Sequence, residues 1–150
     1  MRSISHITNG DLWPSRKALI KKLLKWPLAL LFIGGGVLHF TATPTYERLM
    51  PPYIPYHLQL VYLSGVIESA LGLLLLLPKS QRVAAWALIP TLLAIFPANV
   101  HGALTAGTDH PAMPGVSTEL AWLRLPLQFL LIAWAYWYTR QDALVMRGTA

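Results

Sequence analysis

The chain has 150 residues, of which 55% are hydrophobic and 12% are charged, whereas an average soluble domain has about 25% charged residues. This composition argues against a soluble domain and favours a membrane protein. The net charge of +6 could suggest a nucleic-acid binder, but the basic residues cluster at the ends of apolar segments, so no nucleic-acid partner is expected. The absence of cysteine excludes dithiol exchange, iron–sulfur ligation and thioether attachment of haem.

Four apolar stretches each have the length of about 20 residues that a helix needs to cross a bilayer core. They are residues 19–42, 57–77, 83–104 and 120–138. The sequence therefore predicts an all-α fold, a bundle of four transmembrane helices that forms a single membrane domain over residues 19–139. A polar and basic N-terminal lead over residues 1–18 and a short cytoplasmic tail over residues 140–150 complete the predicted organisation. The last helix is expected to begin near Ser117-Thr118-Glu119, a segment that suits a helix cap.

The distribution of positive charge predicts the orientation of the bundle. Ten of the twelve Lys and Arg residues lie in three places, which are residues 1–25, the turn at 79–82 and the tail. With four crossings these places share one side of the membrane, which the positive-inside rule assigns to the cytoplasm. Both termini are therefore expected to be cytoplasmic (N-in/C-in), and the loops 43–56 and 105–119 to face outward. Residues 16–42 also resemble a secretory signal, but their length favours a first helix that is not cleaved.

The first helix and the loop after it contain residues of special backbone preference. Three glycines at 34–36 would let another helix backbone approach, and a packing groove is their simplest interpretation. The loop 43–56 contains four prolines and three tyrosines, and is too rich in proline to continue a helix. We expect it to cap the outer end of the bundle through Tyr46, Pro51 and Pro55. The cap could be a lid that gates a site, or a purely structural plug.

Glu68 is the only formally charged residue in the apolar run 58–77. A charged side chain at membrane depth costs about 3 kcal/mol or more, so an intramembrane carboxylate is a functional-site candidate. Small and polar residues at spacings of three and four share its helix face, which is therefore expected to point into the bundle. These residues are Ser64, Gly65, Ser69 and Gly72.

Depth along the helices suggests which polar groups meet. At 1.5 Å per residue, Glu68 lies about 16 Å from the outer surface, Gln128 about 12 to 15 Å, and Arg124 about one turn above Gln128. This predicts an intramembrane ion pair between Glu68 and Arg124, which could be a structural brace or could orient a ligand. A shallower layer, about 5 to 8 Å deep, contains His39, Asn99 and His101.

Two histidines from different helices could suggest a metal or haem site, because imidazole is a common ligand. Hydrogen bonds from His39 and His101 to carbonyl groups or loop side chains are the favoured explanation, and the sequence contains no zinc motif. No metal site is therefore predicted.

Several short motifs follow one another along the predicted helices, namely Gly36-Val37-Leu38-His39-Phe40, then Pro44, Tyr46, Pro51 and Pro55, then Ser64-Gly65-Val66-Ile67-Glu68, Phe96-Pro97-Ala98-Asn99-Val100 and Arg124-Leu125-Pro126-Leu127-Gln128. Together they resemble the DoxX family of small four-helix membrane proteins. The resemblance covers roughly residues 30–138 and implies a four-helix bundle, in bacteria normally in the cytoplasmic membrane. Members of that family are linked to a terminal quinol oxidase and to thiosulfate:quinone oxidoreduction, and more distant relatives act as membrane assembly factors.

These observations together favour a protein that binds an apolar small molecule, a quinone or a lipid, in an outward-facing polar cavity, in redox or envelope metabolism. If the protein is an enzyme, we expect a quinone-linked oxidoreductase component, with quinone as its cofactor. The alternative is a non-catalytic accessory or assembly subunit of a membrane complex, and oligomerisation is compatible with either. A transporter ranks third, because the sequence has no evident internal repeat. In the preferred hypothesis Glu68 and Arg124 orient a headgroup, Gln128 and Asn99 donate hydrogen bonds, and His39 and His101 line the mouth.

Overall fold

Five α-helices form the part of the chain that the computed structural model describes, residues 16–140. They are α1 (Arg16–Thr41), α2 (Thr43–Leu49), α3 (His57–Leu76), α4 (Gln81–Thr105) and α5 (Thr118–Thr139). No strand occurs within this range, so the predicted all-α fold is confirmed. Helix α1 includes Arg16, so the last three residues of the predicted lead belong to it. The rest of the lead, 1–15, and the tail from 141 to 150 lie outside the described residues.

Every helix except α2 is long and apolar enough to cross a membrane. The four spans agree with the predicted ones to within two residues at each end. Large apolar side chains cover their outer faces, including Leu23 and Val83, which are 68% and 69% exposed. A surface of this kind would be costly in water and suits lipid tails. The described part of the chain is thus a four-helix bundle typical of a multi-pass membrane protein.

The bundle consists of two helix pairs that meet mainly at one end. Helix α1 packs along α3, α4 packs along α5, and the contact between α3 and α4 joins the pairs. The core, which includes Phe32, Leu75, Leu88 and Tyr138, is concentrated near the turn between α3 and α4. We call this end the basic end, because Lys25 and its neighbours in α1 lie there, and the opposite end, which carries α2, the capped end.

Glycine allows α1 and α3 to pack closely. A Cβ atom at Gly36 would lie 2.6 Å from the carbonyl oxygen of Gly65, and one at Gly65 would lie 2.9 Å from that of Gly36. A Cβ atom at Gly72 would lie 2.8 Å from the carbonyl oxygen of Ala29. No described atom lies within 4 Å of the corresponding position at Gly34. The predicted close approach of another helix is therefore confirmed at Gly36, which packs against α3, and not at Gly34.

The cap is more helical than the sequence predicts. The expectation that proline stops helix formation in this loop is wrong for Thr43–Leu49, which forms α2 with Pro44 in its first turn. Proline is tolerated there because the missing N–H would have no partner inside the helix anyway. Helix α2 contacts α1, α3 and α4, so the predicted cap is confirmed. Pro51 is fully buried beneath it, whereas Pro55 is exposed.

Lysines of α1 stabilise the basic end. Lys25 Nζ donates to the carbonyl of Leu76 at 3.0 Å, and Lys21 Nζ donates to that of Arg140 at 2.9 Å. The last carbonyls of a helix lack donors within the helix and carry partial negative charge, so both contacts are favourable. Tyr138 closes the same end by donating to the carbonyl of Lys21 at 2.8 Å. The described chain thus begins and ends on one side of the bundle, and the cytoplasmic assignment of that side stays a prediction.

Neighbouring glycines of α1 provide a matched test of this packing. Gly36→Ala should lower the free energy of unfolding by about 1 to 3 kcal/mol, because the added methyl group meets the backbone of α3. Gly34→Ala should be neutral or raise it by up to about 1 kcal/mol, because alanine is the better helix former. Thermal unfolding of the detergent-solubilised variants measures both. Equal effects of the two substitutions would contradict the close approach of α1 and α3.

Candidate functional site

A cavity of about 780 Å³ lies between the two helix pairs, in the half of the bundle nearer the cap. Its walls are mostly Leu, Ile, Val, Met and Phe side chains, with a few polar groups. Ligand sites in proteins are clefts of about 300 to 1,000 Å³ with this kind of lining. Six of the nine predicted site and cap residues line it, namely His39, Tyr46, Glu68, Asn99, Arg124 and Gln128.

Glu68 is buried in the wall between α3 and α1, with 6% of its surface exposed. Its Oε1 atom has no hydrogen-bond partner among the residues that the structure describes. Its Oε2 atom would lie 3.3 Å from a Cβ atom at Gly35, so the glycine makes room for the carboxyl group. A buried polar atom without a partner costs about 1 to 3 kcal/mol, and such atoms in native proteins call for an explanation.

His39 is the ionisable group next to Glu68. Its Nδ1 atom lies 2.8 Å from the carbonyl oxygen of Gly35, and because a carbonyl only accepts, Nδ1 carries a proton. Its Nε2 atom faces Glu68 Oε1 at 3.8 Å, which is too long for a hydrogen bond. Two lone pairs facing each other would repel, so the arrangement is favourable when one proton resides on either Nε2 or the carboxyl group. The two side chains thus form a polar pair at the edge of the cavity.

The predicted separation of His39 from Glu68 into two layers is wrong. Side chains of an α-helix tilt towards its N-terminus. Helix α1 runs towards the capped end and α3 runs away from it, so the side chains of His39 and Glu68 tilt towards each other. Counting depth along the backbone does not include this tilt.

The same tilt explains why the predicted ion pair between Glu68 and Arg124 is absent from the described residues. Helix α5 begins at the capped end, so Arg124 extends towards the cap instead of reaching down to Glu68. There its Nη1 atom donates to the sulfur of Met113, in the loop between α4 and α5. No pattern in the sequence predicts this contact between Arg124 and Met113. Arg124 nevertheless lines the cavity, on its capped side.

Asn99 and Gln128 form a polar bridge between α4 and α5. Asn99 Nδ2 donates to Gln128 Oε1 at 2.7 Å, and Gln128 Nε2 donates to the carbonyl oxygen of Leu92. Gln128 is 3% exposed, so the bridge is shielded from solvent. The prediction that Asn99 belongs to a shallower layer than Gln128 is wrong for the same reason as for His39.

Tyr46 brings the cap into the site. Its ring lies over the His39 ring with centroids 3.8 Å apart. Burial raises the pKa of the Tyr46 phenol, the charge of Glu68 raises it further, and Arg124 lowers it. The phenol therefore stays protonated at neutral pH and can act as a hydrogen-bond donor. Met50 and Ile54 also line the cavity, so the segment after α2 forms one wall of it.

His101 does not belong to this cavity, so its predicted place at the mouth is wrong. Its Nδ1 atom lies 3.2 Å from the carbonyl oxygen of Leu49, the last residue of α2. It lines a separate depression of about 460 Å³ with Arg48, Asp109 and His110. Within residues 16–140, no group of three or more His, Asp or Glu side chains could hold a metal ion.

A family model described as "Domain of unknown function (DUF8561)" matches residues 28–139, which are 112 of the 150 residues. The chain belongs to the DUF8561 family. The matched region of this DUF8561 protein includes α2 to α5, about half of α1 and all residues that line the cavity. No curated protein and no solved structure matches the chain. The resemblance to the DoxX family stays a prediction.

The amide bridge of the DUF8561 protein gives a prediction for a double-mutant cycle. Gln128→Leu should lower the free energy of unfolding by about 1 to 3 kcal/mol, because it leaves the half-buried Asn99 amide without its acceptor. Combining it with Asn99→Leu should cost clearly less than the sum of the two single substitutions, because neither polar group is then left unpaired. Thermal unfolding in detergent measures the cycle, and additive effects would show that the two amides do not interact.

Proposed function

We propose that this DUF8561 protein binds an apolar small molecule with a polar headgroup, a quinone or a lipid, in the cavity between its helix pairs. The observation that carries the proposal is the buried, unpartnered Oε1 atom of Glu68 in the wall of a large apolar cavity. A ligand hydroxyl or amine that donates to this atom would remove the cost of leaving it unpaired. The apolar walls would enclose the rest of the molecule.

The polar groups around Glu68 have distinct proposed roles. Glu68 and His39 hold one proton between them and thus can donate to or accept from a headgroup. Tyr46 covers His39 and offers a hydroxyl from the cap. The sequence alone suggested that Gln128 donates a hydrogen bond to the ligand. Its amide nitrogen and oxygen are both engaged in the bridge, so we instead assign Gln128 to shaping the cavity wall.

Arg124 supplies positive charge on the capped side of the cavity. The thioether sulfur of Met113 is only a weak acceptor, so it leaves most of the hydrogen-bonding capacity of the guanidinium unused. We propose that Arg124 binds a carbonyl or phosphate oxygen of the headgroup. Its separation from Glu68 favours this role over that of a structural brace.

A role in quinone-linked redox metabolism, in a bacterial cytoplasmic membrane with both termini inside, forms the finer part of the proposal. Oxidation of a quinol releases protons as well as electrons, and the His39 and Glu68 pair could accept a proton from a quinol hydroxyl. The electrons would need an acceptor on another protein, so in this role the chain would be a component of a larger oxidoreductase complex. The DoxX-like motifs support a relation of this kind.

The alternative function is that of an accessory or assembly subunit without a ligand. Its expected signature is a face of small residues on the outside of the bundle. Of the three glycines in α1, however, Gly35 faces Glu68 and Gly36 faces α3, and only Gly34 faces open space. Gly35 and Gly36 thus have internal contacts, which supports the binding function over the accessory role.

Native mass spectrometry of protein gently extracted from its own membranes tests the proposal. We expect wild-type protein to carry a quinone or a lipid, and Glu68→Leu to reduce its occupancy about tenfold, the effect of losing one buried hydrogen bond to a charged or polar group. Glu119→Gln is a matched control, because Glu119 is an exposed carboxylate in the first turn of α5. Its occupancy should equal that of wild type.

Two outcomes would contradict this proposal. Wild-type protein that carries no apolar molecule under these conditions would favour the accessory-subunit function. Equal occupancy in wild type and Glu68→Leu would show that any bound molecule lies elsewhere on the protein.

A further inference from the structure

Three leucines that line the cavity are also exposed on the outside of the bundle, and two of them lie on the facing helices α1 and α5. Leu31 of α1 is 49% exposed and Leu127 of α5 is 43% exposed. A side chain that belongs both to a cavity wall and to the outer surface marks a place where the cavity opens. Both leucines lie on the perimeter that faces lipid, and neither belongs to the cap.

The seam between α1 and α5 is the weakly packed side of the bundle. In the described part of the chain, these two helices make close contact mainly at the basic end, through the hydrogen bonds of Lys21 with Tyr138 and Arg140. The cap does not close this seam, because α2 packs on α1, α3 and α4. Towards the capped end the two helices therefore lack the continuous contact that closes the seam between α1 and α3.

The opening lies at the depth of the hydrocarbon core. Leu31 is ten residues from the end of α1 at the capped side, and Leu127 is nine residues from the start of α5, so both lie about 14 to 15 Å from that end. This depth is about half of the roughly 30 Å thickness of a bilayer core. A molecule that passes between the two leucines would therefore come from the acyl-chain region of the bilayer and not from water.

We infer that the ligand enters the cavity sideways from the bilayer, between α1 and α5. Its aliphatic chain lies between Leu31 and Leu127, and its polar head reaches Glu68 and His39. This inference rests on the proposed function and deepens it. The ligand is a lipid-soluble molecule with one compact polar head and a long chain, of the acyl or the isoprenoid type. With this entry route, the cavity opens at the side of the bundle and not at its outer face, where the sequence predicts the opening.

A second seam, between α3 and α4, provides the competing route. Leu63 of α3 lines the cavity and is 54% exposed, and Ala94 of α4 is exposed as well. We favour the seam beside α1, because Glu68 faces Gly35 and His39 of that helix. A head that enters next to α1 reaches the carboxyl group directly.

Photolabelling in vesicles tests the route. The full-length protein is reconstituted in phosphatidylethanolamine and phosphatidylglycerol that include a phospholipid with a diazirine in its acyl chain. Peptide mass spectrometry then measures the label on cavity residues of α3 and α5. A second set of vesicles also contains menaquinone, and a loss of label there identifies an isoprenoid quinone as the preferred ligand, whereas unchanged label identifies an acyl lipid.

Bulky substitutions at the two seams separate the routes. Leu31→Trp and Leu127→Trp should each reduce labelling of the cavity about tenfold, because they overfill the entrance. Leu63→Trp at the other seam should leave it within about twofold of wild type. Leu30→Trp and Leu130→Trp control for a surface tryptophan, because these leucines are 58% and 63% exposed and do not line the cavity. Thermal unfolding confirms that each variant is folded.

Each result supports or overturns the inference. Loss of label only in Leu31→Trp and Leu127→Trp supports entry between α1 and α5. Loss only in Leu63→Trp, or in none of the variants, overturns it in favour of the α3–α4 seam or of the capped end. Wild-type protein without label in its cavity would overturn the proposed function itself, so the two failures are distinguishable.

Discussion

The close contact between α1 and α3 is the constraint on which the rest of the structure depends. Gly36 and Gly65 let the two backbones approach to a distance that a methyl group on either would prevent. This approach places Gly35 against the carboxyl group of Glu68 and brings His39 beside it. The polar pair at the cavity is therefore a consequence of backbone packing. A wider separation of α1 and α3 would expose the pair of His39 and Glu68 and would move the two side chains apart.

The close packing of α1 against α3 leaves space between α1 and α5. The two helix pairs are joined by a core near the basic end and by the cap at the other end. Lysine contacts with the C-terminal carbonyls of α3 and α5 strengthen the basic end. Between these two regions, α1 and α5 pack poorly, and the cavity extends into that gap. The contacts that stabilise the bundle and the space for a ligand thus lie in different halves of the bundle.

The two helix pairs differ in whether their buried polar groups have hydrogen-bond partners. Asn99 and Gln128 satisfy each other and the carbonyl of Leu92, as most buried polar groups in proteins do. Glu68 keeps one oxygen without a partner among the described residues, although its charged form would cost about 3 kcal/mol or more at this depth. The first arrangement is typical of a structural bridge, and the second is typical of a site that receives its partner from outside the chain.

Length and hydropathy determined the four membrane spans to within two residues, because the spans depend only on local composition and on the thickness of a bilayer. The polar face of α3 also followed from spacing, since Gly65, Glu68 and Gly72 recur at the helical period. The neighbours of Glu68 did not follow, because depth along the backbone ignores the tilt of side chains towards the N-terminus of each helix. Only the tertiary structure decided that His39, and not Arg124, faces Glu68. It also decided which two helices leave a gap, because contact between helices depends on how closely their backbones approach.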